Sequence, residues 1–174
     1  MNGEIMSLEN ENFEETVKTV TKMVLTTPQK MIREDDIRNL SRNHDFEQII
    51  SKVYMNLRNI GFEFISTMFL DQRYYILISD GKDDNLTPSQ YGILALIIAL
   101  GKEIEDNLNV KDIKEIFSDV WESDVTFLID NDYLRIIEEF EIIKITPLGK
   151  AVLKNIIGDL KLKNLLDLFT EHSP

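Results

Sequence analysis

The sequence predicts an α+β fold, mostly helical, made of two winged-helix units in tandem with a C-terminal helix. Each predicted unit has three helices and a β-hairpin wing. Three observations lead to this prediction. Apolar residues at helical spacing precede a pair of β-rich runs in both halves of the chain. A polar, turn-forming stretch separates the halves. Finally, the tripeptide Asp36-Ile37-Arg38 recurs in similar form as Asp112-Ile113-Lys114, 76 positions later.

The prediction divides the chain into five segments. They are a flexible lead-in (1–12), a first winged-helix unit (13–79), a linker (80–86), a second winged-helix unit (87–153) and a C-terminal helical extension (154–174). The linker is rich in Asp, Asn and Gly and carries few apolar residues, which is typical of a connection between packed units. Because it is short, we expect the two units to pack closely.

The first unit begins with a predicted helix from about Asn12 to Leu25, which ends before a Thr-Thr-Pro sequence. A short extended piece at Met31-Ile32 follows. The acidic run 34–36 suits a helix start, and Ile37 and Leu40 are predicted to form the buried edge of that helix. A longer amphipathic helix from Phe46, with apolar residues to Leu57, ends at Gly61. Two strands, 62–66 and 74–78, enclose a turn at 70–73 as the first wing.

The second unit begins with a helix capped by Thr87-Pro88-Ser89-Gln90, apolar almost all round and ended by Gly101. A second helix is predicted to bury Ile113, Ile116 and Phe117. A third spans about 120–132, and strands 133–137 and 142–145 form the second wing. Thr146-Pro147 then starts a closing helix.

Composition excludes several classes of function. The chain has no cysteine and two histidines, so it offers no disulfide, no thiolate zinc site and little for any other metal centre. No nucleophile elbow, Walker loop or dinucleotide-binding glycine motif occurs, and the paired acids fall at caps, turns and the linker. We therefore predict a protein that is not an enzyme and needs no cofactor. Its polar first residues and short apolar runs predict a cytoplasmic protein, without signal peptide or membrane contact.

Charge argues against tight DNA binding, because the formal net charge is −12 and a phosphate backbone repels an acidic protein. A winged helix usually lays its third helix in the major groove. In the second unit, no Lys or Arg occurs from Glu115 to Leu134. The acidic residues of that stretch are Glu115, Asp119, Glu122, Asp124, Asp130 and Asp132. This third helix would meet phosphate with like charge.

The first unit carries the candidates for nucleic-acid contact. They are Lys30, Arg33, Arg38 and Arg42 around its second helix, with Lys52 and Arg58 on the third. They form either a weak basic stripe or, as we favour, an ordinary surface on which they pair with neighbouring acids. A DNA-binding winged-helix regulator using these residues is the alternative function, and it requires affinity that falls steeply with salt.

Protein binding is the better interpretation of the remaining side chains. Large apolar or amphipathic residues at a partly exposed face anchor partners, and the candidates in the second unit are Trp121, Tyr133 and Phe140. Phe127 is assigned to the core, and Phe140 either anchors a partner or braces the wing. The apolar C-terminal extension adds Leu165, Leu166 and Phe169. That extension either covers the cores of the units or docks on a second protein.

The arrangement resembles the KITE proteins, the tandem winged-helix partners of kleisins that include the MAGE homology domain and bacterial ScpB. The segment 29–37 resembles the MAGE stretch that leads into the second helix, 60–64 with 74–78 resembles the first wing, and 92–101 resembles the apolar helix that opens the second unit. The resemblance implies a non-catalytic subunit that binds a kleisin within an SMC complex and associates with chromosomes. It also implies homodimerisation through the first unit.

Overall fold

The chain is α+β and mostly helical, as predicted. The computed structural model describes residues 2–41, 44–79, 85–104 and 108–154, with the backbone alone for 2–9. Two compact units divide between Gly81 and Lys82, inside the segment assigned to a linker. None of the helices in the described ranges is both long and apolar enough to cross a lipid bilayer.

Unit 1 has the order helix, strand, helix, helix, strand, strand. Its elements are α1 (Asn2–Thr26), β1 (Met31–Arg33), α2 (Glu34–Leu40), α3 (Phe46–Asn59), β2 (Phe62–Phe69) and β3 (Gln72–Ser79). The helix α1 begins at Asn2 and not near Asn12, because Glu, Met and Leu, which favour helix, are frequent among its first residues. Asp45 starts α3 by accepting a hydrogen bond from the Gln48 amide.

The core of unit 1 lies between these helices and one face of the sheet. α1 and α3 each bury apolar residues at three- and four-residue spacing, and α2 and the strands complete the cluster. Its members include Val17, Val20, Val24, Ile32, Ile37, Ile49, Val53, Leu57, Phe64 and Tyr75. The Phe64 and Tyr75 rings stack with centroids 5.0 Å apart. Gly61 follows α3 at φ +85, a backbone conformation that glycine adopts without strain.

The sheet of unit 1 has the strand order β1-β3-β2 and is antiparallel. Both hairpin strands are longer than predicted, because pairing continues without interruption from Phe62↔Ser79 to Phe69↔Gln72. The turn is therefore two residues, Leu70 and Asp71, at φ 49 and 60. The sequence prediction missed it because Leu-Asp lacks the Asn-Gly signature that these dihedrals favour.

Unit 2 begins with α4 (Pro88–Glu103), which a complete capping box starts. The Thr87 side chain accepts a hydrogen bond from the Gln90 amide at 3.2 Å, and the Gln90 side chain accepts one from the Thr87 amide at 3.0 Å. The prediction that Gly101 ends this helix is wrong. Gly101 is buried within α4, where the burial of neighbouring apolar residues offsets the low helix propensity of glycine.

The rest of unit 2 repeats the order of unit 1 with a less regular third helix. The elements are β4 (Leu108–Asn109), α5 (Val110–Ile116), a 3₁₀ turn (Ser118–Val120), a π-helical turn (Trp121–Val125), α6 (Thr126–Asp130), β5 (Leu134–Ile137), a second 3₁₀ turn (Glu138–Phe140), β6 (Ile142–Ile145) and α7 (Pro147–Val152). The antiparallel sheet has the order β4-β6-β5, which corresponds to that of unit 1.

The 76-residue offset in the sequence is visible in the two short helices. α5 begins and ends 76 residues after α2, and Ile37 and Ile113 are buried at equivalent positions. The predicted burial of Leu40 and Ile116 is wrong, since their exposed fractions are 44% and 59%. In both units the next buried residue comes four positions after the buried isoleucine, at Ser41 in unit 1 and at Phe117 in unit 2. The residue three positions after the isoleucine is exposed.

Candidate functional site

Trp121 and Tyr133, two of the predicted protein-binding residues, belong to the core of unit 2. Trp121 is 8% exposed and Tyr133 is fully buried. Trp121 opens the π-helical turn, which interrupts the regular helix that the prediction assumed. Lys114 lies over its ring, with the Nζ atom 5.5 Å from the ring centroid. The expectation that these two side chains are exposed anchors is therefore wrong, because both lie against other residues of the unit.

Phe140 is the predicted binding residue that unit 2 does present to solvent. Its side chain is 64% exposed at the turn between β5 and β6. Glutamates surround it in the sequence, and Glu141 completes the turn at φ 50. Lys111 contacts the Glu141 carboxylate at 3.5 Å, which links the turn to α5. A large apolar ring in an acidic setting suits contact with a partner that is apolar and basic.

The C-terminal candidates Leu165, Leu166 and Phe169 lie outside the described residues. The same is true of Arg42 in the first unit. Their predicted roles stay predictions.

Arg38, one of the basic residues predicted to contact nucleic acid, is engaged with neighbouring residues of unit 1. The Arg38 Nε atom donates to Glu34 Oε1 at 2.7 Å, and Arg73 contacts the other oxygen of Glu34 at 3.5 Å. The hydrogen bond to Glu34 raises the pKa of Arg38. The Arg38 guanidinium also lies 3.8 Å from the Phe46 ring centroid. Arg33 is exposed and Lys30 is half-buried. Arg38 is thus engaged within the unit, as an ordinary charged surface predicts.

The third helical segment of unit 2 presents acids to solvent. The exposed acids between Glu115 and Asp130 are Glu115, Asp119, Glu122 and Asp130. Asp124 is half-buried and accepts a hydrogen bond from Ser89 at 3.3 Å. This stretch contains no cation, so its outer face repels phosphate.

A groove beside α3 in unit 1 is the feature that sequence reasoning missed. It lies between α3 and the start of β2, has a volume of about 520 Å³, and is lined by Tyr54, Arg58, Phe62, Glu63, Phe64 and Ile65. Tyr54 counts among the residues that predict the amphipathic helix from Phe46 to Leu57, but it is 41% exposed. The available signal was its spacing, since Ile49, Val53 and Leu57 already fill the buried face.

Tyr75 lies near both the groove residue Phe64 and the Glu34 carboxylate. Its ring packs edge-on against Phe46, with centroids 6.3 Å apart. Burial raises the pKa of Tyr75, and the nearby Glu34 carboxylate raises it further. The side chain is therefore a neutral hydrogen-bonding member of the core near Ser66.

In the ranges that the structure describes, no three His, Asp or Glu side chains come together as a metal site. No protein-family model matches the chain, and no curated protein sequence matches it.

Proposed function

We propose that each unit is a winged helix and that the chain is a non-catalytic adaptor, KITE-like, that binds a kleisin of an SMC-type chromosome complex. The repeated order of elements and the matching sheet orders support the tandem arrangement. The equivalent positions of α2 and α5, with Ile37 and Ile113 buried in each, support a common origin for the two units. The kleisin partner itself follows from the family resemblance.

The observation that carries the adaptor proposal is the exposure of Phe140 at the tip of the second hairpin. A winged helix that binds DNA commonly places cations where its helix and wing approach phosphate. Here the hairpin tip presents a phenyl ring beside Glu138, Glu139 and Glu141, and the preceding helix presents acids. Aromatic anchors of this kind carry a large share of the affinity at protein interfaces.

The alternative, a DNA-binding regulator, requires the arginines of unit 1 to contact phosphate. Arg38 already donates to Glu34 and lies over Phe46. Contact with DNA would have to replace those interactions in a protein of net charge −12. The adaptor is therefore the better-supported function.

Affinity purification of the full chain from its native host, with and without nuclease, tests the proposal. We expect a kleisin or SMC subunit to co-purify and to resist nuclease. Phe140→Ala should weaken capture of that partner by about tenfold or more, the loss typical of an interface anchor.

Ile116→Ala is the matched control, because Ile116 is also a large, exposed apolar residue of unit 2. It should leave capture unchanged. Equal capture by the wild type and by Phe140→Ala would remove Phe140 from the interface. Recovery of DNA alone, lost on nuclease treatment, would refute the adaptor and favour the regulator.

A further inference from the structure

The outer edge of β2 is an unusually regular strand edge. β2 is the last strand in the order β1-β3-β2, so among the described residues nothing pairs with its outer side. All eight of its residues pair in register with β3, without a bulge. The edge of such a strand offers backbone donors and acceptors that another strand can use.

The turn geometry identifies which residues face outward. In a two-residue hairpin the pair next to the turn, here Phe69 and Gln72, exchanges both backbone hydrogen bonds. Alternation then directs the backbone groups of Phe69, Thr67 and Ile65 toward β3. The N–H and C=O groups of Phe64, Ser66 and Met68 therefore point away from the sheet. Ser66 and Met68 are exposed, so this half of the edge is open to solvent.

The devices that normally block an open edge are charged residues, proline and bulges, and in β2 the one such device is Glu63, near its start. Between Phe64 and Phe69 the strand has no charged residue and no proline. The corresponding edge strand of unit 2, β5, has only four residues. It also carries Arg135, which forms an ion pair with Asp132, and glutamates follow it. Unit 2 therefore has a protected edge, whereas in unit 1 the edge from Phe64 to Phe69 is unprotected.

The groove beside α3 adds side-chain recognition to this edge. Tyr54, Phe62 and Ile65 supply apolar and aromatic surface along the first half of β2. Arg58 lies in the same groove, and within the described ranges its guanidinium has no hydrogen-bond or ion-pair partner. The groove is mixed in polarity, since Glu63 lines it as well. An exposed arginine that has no partner among the described residues complements a carboxylate.

We propose that β2 accepts an extended segment of a partner protein as a fourth strand, with an acidic side chain of that segment bound by Arg58. Main-chain hydrogen bonds to Phe64, Ser66 and Met68 supply affinity, and the groove selects apolar side chains at alternate positions. This inference rests on the adaptor function for its biological setting. It concerns a surface of unit 1, distinct from the Phe140 turn.

Two pools of synthetic peptides serve as probes against the full chain. Each peptide has eight residues, the length of β2, with Val, Ile, Phe or Tyr at alternate positions and Ser or Thr between them. One pool has Asp at a varied position and the other has Lys there. We expect the immobilised chain to retain the Asp pool preferentially, and the best-retained peptide then becomes the probe for NMR.

Amide exchange gives a readout specific to strand addition. The bound peptide should slow exchange at the amides of Phe64, Ser66 and Met68 by about tenfold or more, since each outward N–H gains protection. The amides of Ile65 and Thr67 should not change, because they already bond to β3. Protection spread evenly along β2 would indicate general stabilisation and would overturn the proposal.

Ser66→Pro tests the edge directly, because it removes an outward N–H without removing a bond to β3. It should weaken peptide binding by about tenfold, the loss of roughly one good hydrogen bond. Ser66→Val is the matched control, since it keeps the N–H and should bind as the wild type does. Undiminished binding by a folded Ser66→Pro chain would refute the edge as the site.

Arg58→Gln should abolish the preference for the Asp pool over the Lys pool and leave the alternating amide protection intact. If neither pool is retained by the wild type, the proposal fails while the Phe140 test of adaptor function stands. If the same amides become protected with rising protein concentration and no peptide, a second copy of the chain occupies the edge, and the partner assignment is wrong.

Discussion

The two units contain the same succession of elements but differ in their hairpins. In unit 1 the strands are eight residues long and join through two residues, whereas in unit 2 they are four residues long and join through the 138–141 turn. The long hairpin exposes an unprotected edge, and the short one exposes a phenyl ring at its tip. One topology thus presents two kinds of exposed surface, determined by strand length and turn chemistry.

Replacing the equivalent buried isoleucines has the largest expected effect and tests whether the units correspond. Ile37→Ala and Ile113→Ala should each lower the free energy of unfolding of their own unit by about 2–5 kcal/mol, through lost burial and a cavity. Urea unfolding followed by far-UV circular dichroism measures the loss, and amide exchange assigns it to a unit. Leu40→Ala and Ile116→Ala, at the exposed positions, should change the free energy of unfolding by less than about 0.5 kcal/mol. A large loss for either would contradict the shared four-residue spacing.

Two glycines are required for different reasons, Gly149 of unit 2 for lack of space and Gly61 of unit 1 for its positive φ. An alanine Cβ at Gly149 would overlap the backbone carbonyl oxygen of Tyr133, so Gly149→Ala should cost about 1–3 kcal/mol of stability. Gly61 has open space but positive φ, so Gly61→Ala should cost about 1–2 kcal/mol from backbone strain alone. Gly61→Asn should cost less, because Asn tolerates this conformation. Urea unfolding of the three variants would contradict this account if Gly61→Asn were the most damaging.

The turn of unit 1 can be improved, because Leu70 sits at φ 49. Leu70→Asn should raise the free energy of unfolding by about 1 kcal/mol, since Asn is preferred at the first central position of this turn. Leu70→Ala should have almost no effect, as alanine shares the strain of leucine. Thermal unfolding of both variants measures the difference. A gain for Leu70→Ala as large as that for Leu70→Asn would indicate that removing exposed leucine, and not relieving strain, stabilises the hairpin.

The smallest effect at neutral pH is expected from Tyr75→Phe, which removes one hydroxyl and should cost less than about 1 kcal/mol. Burial raises the pKa of Tyr75 in the folded chain, so above pH of about 10 the unfolded state loses this proton first. The contribution of the neutral Tyr75 side chain to the free energy of unfolding is present below that pH, and it is lost as the pH rises toward the pKa of Tyr75 in the folded chain. Urea unfolding at rising pH should show a shallower decline for Tyr75→Phe. Parallel declines would contradict a raised pKa.

Much of the fold followed from local pattern. The apolar spacing of α3, the caps at Thr87 and Thr146, and the β-rich runs of both hairpins identify their elements, because each reflects a local preference of the backbone. The 76-residue offset correctly aligned α2 with α5. The ends of elements were less accurate, as at Gly101, where tertiary burial overrides the tendency of glycine to stop a helix.

The exposed surface was harder to predict, because burial depends on how a helix is rotated against its neighbours. Trp121 falls in a π-helical turn, which changes the direction of the following side chains and has no simple sequence signature. The edge of β2 depends on strand order, a property of the whole sheet. Phe140, for which the sequence left open both a binding and a bracing role, is exposed because a hairpin turn presents its side chains to solvent regardless of how the helices pack.

Burial of Trp121 has a spectroscopic consequence. It is the only tryptophan in the chain, and it lies in unit 2. Its emission therefore reports on that unit alone, without any introduced label. In the folded chain the emission should lie toward short wavelengths and resist quenching by acrylamide, and both properties should be lost when unit 2 opens. Trp121, which the sequence predicted to bind a partner, thus serves as an internal fluorophore for the unit that carries Phe140.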